Sequence, residues 1–190
     1  VRFQGLDMSL HAIIRNTMIV GTAVLGLQSS AFAVDSFSVE AAAGKHHTQL
    51  FRGALQWDWN KKWFDSNGTH LSGYWDLSLA MWQGNRHKGI EGNKQRFADI
   101  GFTPVFRFER SSKKGPYAEA GIGVHLFSEL YDNDDRRLAT AFQFGDHIGA
   151  GYVFSNGLDL GLRLQHFSNG GIKKPNGGAD FAVLRVAYRF

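Results

Sequence analysis

Leu158-Asp159-Leu160-Gly161-Leu162-Arg163-Leu164-Gln165-His166-Phe167-Ser168 decides how this chain folds. Side chains alternate across a β-strand, so Leu158, Leu160, Leu162, Leu164, His166 and Ser168 share one face. Asp159, Gly161, Arg163, Gln165 and Phe167 occupy the other. A base and a nucleophile therefore stand at the end of a leucine stripe. If that stripe faces a bilayer, their chemistry faces it too, and the substrate is a lipid.

The same alternation recurs along the chain. Phe37, Val39, Ala41 and Ala43 form one apolar face; Phe51, Gly53, Leu55, Trp57 and Trp59 form the next, against Arg52, Gln56 and Asp58. Leu71, Trp75, Leu77, Leu79 and Met81 oppose Ser72, Asp76 and Ser78, and Ile100, Phe102, Pro104, Phe106 and Phe108 oppose Asp99, Thr103 and Arg107. Ala118 to Leu126 alternates with Glu119, Gly121, Gly123 and His125, and Phe142 to Phe154 with Gln143, His147 and Gly149. Ser155-Asn156-Gly157 marks a tight hairpin into the leucine strand. Ala182, Leu184, Val186, Tyr188 and Phe190, against Arg185 and Arg189, complete a set of eight strands.

No apolar run approaches the roughly 18 residues a helical span requires. Alternating strands are the mark of a membrane β-barrel, and eight can close without leaving an edge. The expected fold is all-β: an eight-stranded antiparallel transmembrane barrel whose interior is filled by side chains, which excludes a porin. Asp76, Asp99, Arg107, Glu119, Arg163 and Arg185 point inward and can pair there as a polar core. A soluble eight-stranded barrel would put its apolar residues inside; the C-terminal phenylalanine on an alternating strand favours the membrane version.

Residues 1–33 read as a secretory leader: Arg15, a short apolar run Met18 to Leu27, and a small-x-small site at Ala31-Phe32-Ala33. Cleavage after Ala33 leaves 34–190 as the barrel. The chain has no cysteine, so thiol catalysis, thiolate metal sites and disulfides are excluded. The net charge of +4 is scattered; with no nucleic-acid motif, outer-membrane lipids with anionic headgroups are the natural partner. A second copy of the chain is a further candidate partner.

With both termini in the periplasm, odd strands run outward. The connections Gln83 to Lys94, Glu129 to Ala139 and Asn169 to Ala179 then lie outside the cell, and His166 and Ser168 near the outer leaflet. Trp57, Trp59, Trp63 and Phe64 form a girdle at the opposite rim.

Serine needs a neighbouring base to take its proton, and the base needs an acid to fix its tautomer. His166 and Ser168 lie about 6.6–6.8 Å apart along the strand, a gap that rotamers and strand bending can close. Asp180 opens the adjacent strand on the same face, where cross-strand neighbours touch. Gly170 and Gly171 let backbone N–H groups approach an oxyanion, with Asn169 or Asn176 as further donors. Other groups carry less. His46 and His47 lack a third ligand at metal spacing, His125 and Ser128 have opposite parity, and Asp146 is a reserve acid.

At these residues the chain resembles the PagL-type lipid A 3-O-deacylases of Gram-negative outer membranes. The resemblance runs through Trp57-Asp58-Trp59, Gly73-Tyr74-Trp75-Asp76, Glu119 to Val124, Ile148 to Gly151, and His166-Phe167-Ser168-Asn169 followed by Lys174-Pro175-Asn176. It implies a His-Ser-acid triad on the barrel exterior and hydrolysis of the ester-linked 3-O acyl chain of lipid A, with no cofactor and no metal. It also implies Ser168 as nucleophile, His166 as base and Asp180 as acid. The family's acid is usually glutamate; this chain has aspartate. The competing readings are an outer-membrane phospholipase and a structural or adhesive barrel whose His-Ser pair is idle.

Overall fold

The computed structural model describes residues 33–190; apart from Ala33, the expected leader lies outside the described residues. Eight strands follow the alternating segments: β1 Ser36–Gly44, β2 Gln49–Asp58, β3 Thr69–Gly84, β4 Gln95–Arg110, β5 Gly115–Phe127, β6 Phe142–Val153, β7 Leu158–Ser168 and β8 Ala179–Arg189. Each pairs antiparallel with its chain neighbours, and β1 pairs with β8, so the sheet closes on itself.

The outer wall is apolar. Phe51, Leu162, Leu164 and Ile148 are each more than 60 % exposed, at 62 %, 66 %, 63 % and 63 %. An apolar surface that encircles the molecule exceeds the few hundred Å² a soluble monomer shows, and its natural solvent is lipid. Ring contacts mark the rim where β2 ends: Trp59 lies 5.9 Å from Trp63, 5.4 Å from Trp75 and 4.9 Å from Phe106, centroid to centroid. The connection between β2 and β3 holds a short strand, Trp63–Ser66, paired back onto β3. That pairing accounts for the length of this connection.

The interior has two layers. In one, four acids (Glu40, Asp76, Glu119, Asp159) meet four arginines (Arg52, Arg107, Arg163, Arg185), all buried. Arg163 bridges Glu40 at 2.7 Å and Glu119 at 2.6 Å; Arg107 bridges Glu119 at 2.7 Å and Asp159 at 3.0 Å. Arg185 donates to Asp159 at 2.8 Å, and Gln56 to Asp76 at 2.9 Å. Buried charges persist only when paired and hydrogen-bonded, and here the formal charges balance.

The second layer is aromatic, whereas the core residues named from sequence are the paired charges. Trp82 packs on Phe127, Phe167 and Phe181 at 4.9, 4.9 and 4.8 Å, with Leu50 and Leu138 buried in the same cluster. Of its phenylalanines, Phe167 and Phe181 sit at inward positions of the strands that carry His166 and Asp180 outward.

Candidate active site

His166 and Asp180 are direct register partners on β7 and β8, on the lipid-facing side. His166 Nδ1 lies 2.6 Å from Asp180 Oδ1. The side chains are 42 % and 49 % exposed, open enough for a substrate and close enough to lock the ring. Asp146 is the register partner of His166 on the other flank, on β6. The ring turns toward Asp180, so the reserve acid does not take Nδ1.

Ser168 ends β7 on the same face, half-buried. Asn169 follows and is fully buried. Its Nδ2 donates to the Lys173 carbonyl at 2.6 Å, and its Oδ1 accepts from the Gly171 N–H at 3.0 Å. Its own N–H donates to Asn176 Oδ1 at 3.0 Å. The Asn169 amide therefore braces the loop instead of presenting its N–H groups to a substrate. Gly170 N–H and Asn176 Nδ2 have no hydrogen-bond partner among the described residues.

Two features escaped the sequence reading. Gly178, at the end of the loop, packs directly under the imidazole: a Cβ there would stand 2.7 Å from His166 Cε1. The β5–β6 loop also braces the site loop. Gly177 N–H donates to the Arg137 carbonyl at 2.9 Å, Ala139 N–H to the Pro175 carbonyl at 3.0 Å, and the Arg136 guanidinium to the Gly177 carbonyl. The glycine run 177–178 was the only signal for the first; nothing local signals the second.

Below His166 and Asp180 the outer wall carries a groove of about 760 Å³, with Ala43, Ala120 and Ala182 among its lining and Ile148 and Leu164 beside them. A second, of about 750 Å³, shares Ala43, Ile148, Leu164 and Ala182 and extends it toward Phe51, Leu162 and Leu184. Small residues between branched ones leave a track suited to an acyl chain. Among the described residues no group of His, Asp and Glu has the arrangement of a metal site.

Residues 49–189 match the family described as lipid A 3-O-deacylase (PagL). The lipid A deacylase PagL of Pseudomonas aeruginosa is 38 % identical over 153 residues, 80 % of this chain and 84 % of that protein. That of Bordetella bronchiseptica is 46 % identical over 87 residues, 46 % of this chain and 47 % of its own. The crystal structure of the outer membrane enzyme PagL superposes with a TM-score of 0.71 at 33 % identity, covering 82 % of this chain and 99 % of that one. The N-terminal barrel of Pseudomonas aeruginosa OprF, at 14 % identity and a TM-score of 0.50, shares the fold alone. Neither the phospholipase nor the idle-barrel reading is favoured by these relatives. With its eight-stranded barrel, its apolar outer wall and a match over most of its length, the chain is an outer-membrane enzyme that belongs to the lipid A 3-O-deacylase (PagL) family.

Proposed function

We propose that this barrel hydrolyses the ester that links the 3-O acyl chain to lipid A, with Ser168, His166 and Asp180 as its triad. The observation that carries the reading is the 2.6 Å contact between His166 Nδ1 and Asp180 Oδ1 on the lipid-facing wall, two residues from Ser168. With Nδ1 bound to the acid, Nε2 is left as the proton acceptor. Ser168 Oγ attacks the ester carbonyl as its proton passes to Nε2. Gly170 N–H and Asn176 Nδ2 stabilise the oxyanion, and His166 returns the proton to the departing sugar alkoxide. Water then repeats the sequence on the acyl-serine and releases the fatty acid.

The groove contributes orientation more than affinity. An acyl chain that already lies in lipid gains little hydrophobic energy by moving against alanine and leucine, because lipid tails are as apolar as those side chains. Its ordering there aligns the ester with Ser168. Mass spectrometry of lipid A from cells expressing the wild type should show loss of one 3-linked hydroxyacyl chain, and Ser168→Ala or His166→Asn should leave it intact. An unchanged spectrum with folded, surface-exposed wild type overturns the reading. Fatty acid released from glycerophospholipid would point to a phospholipase.

A further inference from the structure

Continuing the β7–β8 register one residue past Phe167 and Ala179 sets Gly178 opposite Ser168. A Cβ on Gly178 would stand 2.7 Å from His166 Cε1 and 3.5 Å from Nε2. The Cε1–Nε2 edge of the ring therefore fills the slot where a side chain at position 178 would be. On the other side of the ring, Nδ1 lies 2.6 Å from Asp180 Oδ1. The imidazole thus leans diagonally from β7 over β8, the reach expected between diagonal neighbours on one sheet face.

We propose that Gly178 is a positioning residue. Its missing side chain lets the His166 ring span from Asp180 toward Ser168, and seats the ring low enough for an aspartate to reach it. This rests on the reading of Ser168, His166 and Asp180 as a triad. A carbon 2.7 Å from Cε1 is closer than Cβ contacts allow, so any side chain lifts the ring off β8. Lifting stretches the bond to Asp180, whose arm is one methylene shorter than glutamate, and misdirects Nε2. Displacements near 1 Å in such an array cost about a hundredfold in rate. A carboxylate on a longer arm could follow a higher ring; an aspartate does not. The empty slot at 178 and the short acid at 180 are a matched pair.

The test uses the full chain purified in detergent micelles, with kcat and KM on lipid A and the low-field NMR resonance of the His166 Nδ1 proton. Gly178→Ala should fold, lose at least about tenfold in kcat, keep its KM, and shift or lose the resonance. The Gly178→Ala/Asp180→Glu double variant should regain much of the rate, because the longer acid follows the lifted ring. Gly89→Ala, with φ +76° and nothing within 4 Å of its Cβ, imposes the same backbone conformation without a ring contact; it should leave both readouts unchanged. An unmoved resonance in Gly178→Ala overturns the proposal whatever the rate does. A moved resonance with no relief from Asp180→Glu overturns the match to the short acid. Equal hydrolysis by wild type and Ser168→Ala would instead overturn the triad, while the resonance still reports on Gly178.

Discussion

Phe167 and Phe181 meet edge to face inside the barrel, with ring centroids 6.0 Å apart and planes at 85°. Each follows, in sequence, a residue that points the opposite way: His166 and Asp180. Adjacent residues of a strand project to opposite faces, so the aromatic pair inside packs behind the polar pair outside. The Trp82 layer thus anchors the two strands at the height of the site.

Phe167→Ala removes a fully buried ring from that layer. Truncations of this kind cost about 3–5 kcal/mol. Urea unfolding in lipid vesicles, followed by tryptophan fluorescence, should show the loss. The rate on lipid A should also fall, although Phe167 faces away from the substrate. Wild-type activity at reduced stability would separate the layer from the site.

Asp180→Asn keeps the size of the side chain and removes the charge that stabilises the imidazolium. A drop of about 10³–10⁴ in kcat is expected, with little change in thermal unfolding because the side chain is half exposed. Asp146→Asn should have a much smaller effect on kcat. The opposite order, measured on the purified enzymes, would move the acid's role to β6.

Asn169→Ala deletes the hydrogen bonds to Lys173 and Gly171 together. The site loop should become cleavable by protease, and kcat should fall by about 10²–10³, the scale of a lost oxyanion donor. Asn176→Ala removes both the brace on the Asn169 N–H and a proposed donor. It should lower kcat at least as far.

Glu119→Gln leaves Arg107 and Arg163 facing an uncharged amide in the buried layer. Removing one partner of a buried charge network costs about 3–5 kcal/mol. Heat-modified mobility in gels should shift to lower temperature, with kcat on lipid A nearly unchanged at temperatures where the barrel is folded.

Leu162→Arg places a charge on the wall that faces lipid. Near the bilayer midplane the cost is about 2–4 kcal/mol, read from unfolding in vesicles. A neutral effect would mean that this face does not contact hydrocarbon.

Which way each side chain points was determined by the sequence alone, because the pleat has a period of two residues and depends only on local backbone geometry. Counting alternating segments therefore yielded the eight strands, the lipid-facing leucines and the shared face of His166, Ser168 and Asp180. The register that brings Asp180 opposite His166 required the fold, since the loop between them, residues 169–178, could close in more than one alignment. Only the tertiary structure separated the inward residues into an arginine–carboxylate layer and a Trp82 layer. Alternation marks a residue as inward but does not give its neighbours on other strands. The brace from Arg136 to Ala139 and the slot at Gly178 are likewise contacts between chain-distant atoms, decided by closure of the barrel.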